Sequence, residues 1–338
     1  MIVVTGGAGF IGSALVWRLN QLGEEDIIIV DDFTKDEKES GDKSFSAKDD
    51  KWKNLVHLKY ADVFDKEDFG HMLSSDFMKN FEVETVFHLG ANSSTTERDF
   101  GSLMTNNYEY TKYLCEKAIE NNVRFIYASS AATYGDGSKG YEDDESKLNT
   151  LVPLNGYGYS KHMFDIWAKK LKLLDKIVGL KYFNVYGPNE YHKEDMRSVV
   201  NKCYHQIKET GKARLFKSAN PEFADGGQSR DFLYVKDAIE MTLFFRENKI
   251  VNGIYNIGTG ESNSFNEFVK PVFKALDIKE NIEYFDMPEI LQEKYQYYTK
   301  ADITKLRNAG YKKEIYKIDD AVTDYVAGYL NTEDAYLN

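Results

Sequence analysis

No run of about 18 apolar residues occurs in this 338-residue chain, so no membrane-spanning helix is expected. Proline is scarce, at 5 residues, and single-residue tracts are absent, which excludes collagen-like and low-complexity classes. The two cysteines, Cys115 and Cys203, stand far apart without C-x-x-C spacing. Neither a disulfide framework nor a zinc site is therefore indicated, and a reducing cytosol is the compartment that fits. None of the 6 histidines has a second ligand at metal spacing, so no metal is implied. Basic residues are outnumbered 43 to 55, a net charge of −12, and long-range steering would repel nucleic acid and anionic membrane. An anionic substrate must then be held by local cations. Residues 1–4 (MIVV) read as a strand feeding straight into a glycine turn, so no secretory leader is expected.

What is present is an ordinary globular composition, 42% apolar and 29% charged. The length exceeds one average domain of roughly 150 residues, which suggests two domains or one large α/β domain with an appended lobe. Near-continuous apolar runs at 2–4, 27–30, 84–89, 124–129 and 176–183 alternate with helical patterns. Such runs predict a parallel sheet covered on both faces, with the ligand beyond the strands' C-terminal ends. After Asn184 the rhythm breaks: helical patterns at 197–210, 235–247, 264–276, 301–309 and 318–330 surround GIYNIG, which reads as a strand returning to the sheet. The expected fold is α/β, a Rossmann-type doubly wound parallel sheet with a smaller, partly interleaved C-terminal substrate lobe. Residues 1–184 form the dinucleotide-binding part, with later returns near 230–260. Residues 185–330 form mainly the substrate lobe, and 331–338 a loose tail.

TGGAGFIG at 5–12 places Gly6, Gly9 and Gly12 between a strand and a helix. The first glycine permits the turn, the second lets backbone approach a pyrophosphate, and the third allows close helix packing, while the helix N-terminus attracts the phosphate charge. IIIVDD ends the second strand in Asp31 and Asp32, where a carboxylate can accept from an adenosine ribose 2′-hydroxyl. A 2′-phosphate would instead need cations, and Lys35, Lys38, Lys51, Lys53 and Lys66 are candidates. For any one of these lysines a solvated loop is the simpler reading.

YASSAATYG at 127–135 ends a predicted strand, and YGYSK at 157–161 opens the next helix. Tyr157 and Lys161, four apart, share one helix face. A phenol has a pKa near 10, and a cation about 4 Å away at an effective dielectric of about 20 contributes roughly 4 kcal/mol, about three pKa units. Lys161 is thus expected to bring Tyr157 toward neutrality, with burial opposing it. Ser130 would hydrogen-bond the reacting oxygen. His88, in a strand near the cofactor edge, reads as a packed core residue.

These motifs resemble the extended short-chain dehydrogenase/reductase superfamily and, within it, the nucleotide-sugar epimerases. SSTTE at 93–97, NNYEYTK at 106–112, YFNVYGP at 182–188, HK at 192–193, RDFLYVKD at 230–237, YNIGTG at 255–260 and YQYYTKAD at 295–302 extend the resemblance nearly end to end. It implies inversion at C6 of an ADP-linked heptose, by transient oxidation and re-reduction on a tightly bound NADP, NAD being the alternative. It also implies a second acid/base residue, Lys193, besides Tyr157. Phe10, Ile11, Asp31, Asp32, Lys51, Lys66, Leu89, Gly90, Ala91, Asn92, Ser93, Asn106, Tyr157, Lys161 and Val185 then resemble cofactor contacts. Ser130, Asn184, Lys193, Phe216, Arg230 and Tyr295 resemble substrate contacts. A homo-oligomer, a pentamer in that family, and a cytoplasmic place in lipopolysaccharide inner-core heptose synthesis are implied too.

The sequence departs from the family at four places. Asp32 replaces an asparagine, Glu194 and Asp195 replace a small pair, and insertions lie near 35–50 and 219–229. Two carboxylates beside Lys193 are expected to raise its pKa. Arg230 can grip a diphosphate bidentately, or else form an ion pair with Asp231 or another acid. A 4,6-dehydratase would carry an Asp-Glu pair where Ala131 and Ala132 stand. A C4 epimerase remains an alternative, as does a noncatalytic NAD(P)-binding regulator on the same fold.

Overall fold

The computed structural model describes residues 1–33, 47–73, 76–292 and 295–338; Lys35, Lys38 and the expected insertion up to residue 46 lie outside the described residues. The apolar runs form β1 (Ile2–Thr5), β2 (Ile27–Asp31), β4 (Thr85–His88), β5 (Arg124–Ser130), β6 (Val178–Tyr182) and β7 (Gly253–Ile257), with β3 (Asp62–Asp65) added at one edge. All seven pair in parallel in the order β7-β6-β5-β4-β1-β2-β3. Both faces are covered, which is why β1, β2, β4 and β6 are buried at every residue. β3 differs: its DVFD sequence is exposed or half-buried, as an edge strand allows. The strand order reverses between β1 and β4, and ligands of such sheets bind in that crevice.

Helix α1 (Phe10–Gln21) follows β1, α2 (Gly156–Lys170) follows β5, and α3 (Val235–Glu247) precedes β7. β7 pairs with β6 and so returns the chain to the sheet, as GIYNIG predicts. Farther on, α4 (Ile318–Tyr325) packs Val322 and Tyr325 into the same core that holds α1. Among the described residues no helix is long and apolar enough to cross a membrane.

The C-terminal residues 331–338, expected to be loose, are docked. The Trp17 indole donates to the Asn338 carbonyl (2.9 Å), Leu337 N–H donates to Asn189 Oδ1 (3.0 Å), and Leu337 is buried. Trp17 and Leu337 supply apolar area that a composition count of eight mostly polar residues does not reveal.

Asp237 in α3 is buried, where its carboxylate accepts from Tyr316 N–H (3.1 Å). Burial pushes its pKa up to about 7 against that hydrogen bond, and Glu240 adds repulsion. Its folded value lies above its unfolded one, so the protonated group favours the fold. That contribution is complete below pH 4 and is lost as pH rises through about 7. Asp237→Asn is therefore expected to be the more stable chain at pH 8, by about 2 kcal/mol, and to lose that advantage by pH 5. Urea midpoints at the two pH values check this.

Candidate active site

The glycine turn is held by close backbone contacts that a Cβ would break. Gly6 has φ +69°, and a Cβ there would lie 2.5 Å from Gly90 N; one on Gly12 would lie 2.0 Å from Gly6 O. Gly9 caps α1 in extended conformation and offers no side-chain bond to the helix's first N–H groups. Those donors and the positive end of a 12-residue helix are open to an anion, so the turn fits a dinucleotide pyrophosphate.

Asp31 and Asp32 stand at the end of β2, as expected, but their oxygens are largely engaged. Asp31 Oδ2 accepts from Ala8 N–H (2.9 Å), and Oδ1 accepts from Asp32 N–H (2.8 Å) and Lys51 Nζ (2.9 Å). Lys66 Nζ donates to Asp32 Oδ2 (2.6 Å) and Asn106 Oδ1 (2.8 Å). Two cations, two carboxylates and one amide thus converge where an adenosine ribose would lie. Lys53 pairs with Asp50 instead.

Residues 89–93 follow β4 beside the turn, with Gly90 N–H donating to Thr5 Oγ1 (3.3 Å). A residue the sequence reading passed over, Asn107, fixes this segment. Fully buried, it accepts from Asn92 N–H (2.8 Å) and donates to Asn92 O (2.9 Å) and to Ser160 Oγ (3.0 Å) on α2. Its one legible signal was its place in NNYEYTK. His88 is a core residue, as expected. Thr111 hydroxyl donates to Asn107 O (2.7 Å), so its oxygen accepts from His88 Nε2–H (2.8 Å), and Nδ1 accepts from the Thr5 hydroxyl (2.6 Å). Burial first, and the nearby Lys161 charge second, keep this imidazole neutral.

Ser130 ends β5, and Tyr157 and Lys161 lie in the first turns of α2, which Asn155 caps by accepting from Gly158 N–H (2.8 Å). The three come together, since the Tyr157 hydroxyl bonds Ser130, and Lys161 is buried one turn on. One expectation needs correction. Burial raises the Tyr157 phenol above its usual range despite the Ser130 hydrogen bond, and burial pushes Lys161 down to about 8, with Asp165 partly opposing. Desolvation dominates, so Lys161 alone does not bring the phenol to neutrality.

Lys193 lies in the loop turn Tyr191–Met196, with Nζ 5.3 Å from the centroid of the Phe10 ring. Glu194 and Asp195 are exposed and do not raise its pKa as expected; burial lowers it, and the charge opposing that fall is Glu190. Glu194 takes φ +47° and ψ −120°, a kink in the turn. Beneath the loop, Asn54 Nδ2 donates to Ala8 O (2.9 Å), Asn189 O (3.2 Å) and His192 Nδ1 (3.2 Å), tying it to the glycine turn. Asn54 was invisible in sequence because its partners lie 46 to 138 positions away.

In the second half of the chain Arg230 is buried, 5.2 Å over the Tyr295 ring, and donates to Ser229 O (2.9 Å). The alternative of a pair with Asp231 does not hold, because Asp231 accepts from the N–H groups of Thr259 (2.8 Å), Gly260 (3.0 Å) and Ala301 (3.0 Å). Asn184 is exposed and Val185 half-buried just past β6. Phe216 packs on Phe285 at 4.8 Å. From the insertion near 219–229, Phe223 stacks on Tyr297 (5.2 Å), itself against Tyr295.

Comparison with known proteins fits this geometry. A curated relative from Nitratidesulfovibrio vulgaris strain DP4, ADP-L-glycero-D-manno-heptose-6-epimerase, is 50% identical over 337 residues, covering 100% of both chains. The protein of that name from Fusobacterium nucleatum is 48% identical, again over 100% of both. The crystal structure of the Helicobacter pylori ADP-L-glycero-D-manno-heptose-6-epimerase superposes with a TM-score of 0.76 at 28% identity, over 97% of this chain and 95% of that one. The family model of the NAD dependent epimerase/dehydratase family matches residues 2–258, and the chain belongs to that family.

Proposed function

We propose that the chain interconverts ADP-D-glycero-D-manno-heptose and ADP-L-glycero-D-manno-heptose by inverting C6, with NADP as the resident cofactor. The observation that supports this reading is that two candidate proton-transfer groups are held on separate elements beyond the ends of the sheet's strands. Tyr157 with Ser130 stands at the end of β5, and Lys193 stands at the Phe10 end of α1 after β1. One strand, β4, separates β5 from β1 in the sheet.

A bound nicotinamide supplies a hydride acceptor that later gives the hydride back, so C6 passes through a planar carbonyl with no net redox change. Gly6, Gly9 and Gly12 with the start of α1 would hold its pyrophosphate. Lys51, Lys66 and Asn106 would hold a ribose 2′-phosphate, drawing the two lysines from Asp31 and Asp32. Tyr157 takes the proton of the C6 hydroxyl while Ser130 bonds the same oxygen. Lys161 steadies the phenolate. Once the carbonyl has turned about its bond to the sugar ring, its oxygen lies elsewhere, and Lys193 gives the proton there. In the opposite direction Lys193 takes the proton and Tyr157 returns it. Arg230, buried among Tyr295 and Phe265 rings without a carboxylate among the described residues, is suited to a diphosphate. Ala131 and Ala132 lack the acid/base groups a dehydratase needs to expel water.

The test is whether purified protein interconverts the two epimers without added reductant. Lys193→Met is expected to lower turnover about 10²-fold while fold and cofactor content persist. Full turnover in that variant removes Lys193 from the reaction. Native mass spectrometry is expected to show NADP rather than NAD and to count the subunits of a homo-oligomer, a pentamer by resemblance. A cytoplasmic role in lipopolysaccharide inner-core heptose synthesis, and a mainly substrate-binding lobe at 185–330 beside a dinucleotide-binding part at 1–184, belong to the same proposal.

A further inference from the structure

Glu190 is a fully buried carboxylate that the mechanism above does not use, three residues before Lys193. Both its oxygens are occupied by donors. Ser198 N–H gives to Oε2 (2.7 Å), and the Ser198 hydroxyl (2.6 Å) and the Tyr325 hydroxyl (3.0 Å) give to Oε1. Burial raises the pKa of this carboxyl, and the three donors oppose that rise while holding it in place from two elements, the start of the helix Val199–Thr210 and the end of α4. Such a carboxylate is costly to bury unless a cation answers it. The cation that acts on it is Lys193, yet the two form no ion pair within 4 Å, and the ammonium has no hydrogen-bond acceptor among the described residues.

We infer that Glu190 is a positioning residue that keeps Lys193 protonated through space while leaving all three ammonium protons for the substrate oxygen. A directly bonded carboxylate would occupy one of those protons and draw the side chain off the Phe10 ring. A fixed one, anchored by Ser198 and Tyr325, supplies the field alone. The other charged groups around the loop do not do this. Lys51, on the packed segment Ala47–Leu55, is paired with Asp31, and Asp50 with Lys53. Asp334 of the docked C-terminus pairs with His57, and Glu194 and Asp195 are exposed. His192 is pushed down to about 4 by burial and by Lys51 and Lys193, so it is neutral at working pH and adds no charge.

The inference rests on Lys193 being the second proton-transfer group, and its test separates the two. In the direction where Lys193 gives the proton, turnover falls above the pKa of Lys193. Glu190→Gln removes the charge and keeps the acceptor, and is expected to move that alkaline limb down by about one pH unit, with about a tenfold loss above it. KM and bound cofactor are expected to stay within twofold. Glu190→Asp keeps the charge but withdraws it by one methylene, and is expected to move the limb the same way by less. An unmoved limb in folded Glu190→Gln overturns the inference, as does an unmoved limb in Glu190→Asp should only that variant fold. If Lys193→Met is inactive while the limb stays put, Glu190 alone is discarded; if Lys193→Met is fully active, the premise has failed.

Discussion

Tyr157→Phe is expected to lower epimerisation turnover about 10³-fold, with the fold and the bound dinucleotide retained. Only the hydroxyl is removed. The ring stays half-buried in the first turn of α2, and the Asn155 cap that starts the helix is untouched. What would be lost is the oxygen proposed to take the proton of the C6 hydroxyl beside Ser130. The size follows from the mechanism: without a base at that oxygen the alcohol cannot give up its proton as hydride leaves, and positioned proton transfer is worth roughly 10² to 10⁴. Because burial raises the phenol, wild-type turnover in the direction where Tyr157 is the base should climb with pH on the acid side. The Phe variant should lose that climb. A residual rate with the wild-type pH profile would show that another group takes the proton.

The sheet was legible wherever β-branched residues ran together, because strands buried on both faces need no alternation. β3 was not, since a polar edge strand has no such run. The glycine turn, Asp31, Ser130, Tyr157 and Lys161 were legible because turn, cofactor and helix face are set by spacing along a few residues. Lys51 and Lys66 were two of five candidate cations, resemblance singled them out together with Asn106, and the structure brings the three to one place. Asn54, Asn107 and Glu190 stayed hidden because each acts on partners far along the chain, and a polar residue carries no mark of whether water or protein will answer it. The direction of the Tyr157 and Lys193 shifts was misjudged for a related reason: charges can be counted in a sequence, whereas desolvation can be read only from packing.

Asp165 and Lys181 show the same limit, and breaking them is expected to have the largest effect on stability. Both are completely buried, Lys181 inside an otherwise apolar β6 and Asp165 on α2 one turn past Lys161. Lys181 Nζ donates to Asp165 Oδ2 (2.7 Å) and Thr133 Oγ1 (2.6 Å), and Asp165 also accepts from the hydroxyls of Tyr127 (2.8 Å) and Ser129 (2.8 Å). The Thr133 hydroxyl in turn donates to Ser130 O (2.8 Å), so the network fastens β5, β6 and α2 around the residues that meet at Ser130. Asp165→Leu leaves an uncompensated buried ammonium and should cost about 3–5 kcal/mol; Lys181→Met strands the carboxylate at a similar cost. The double variant removes both charges and strands only hydroxyls, each costing about 1 kcal/mol or more. It should therefore be more stable than either single variant, a coupling that urea denaturation of the four chains measures. Should the two single losses simply add, the pair is not a unit, and the alignment of Ser130 with α2 must come from apolar packing alone.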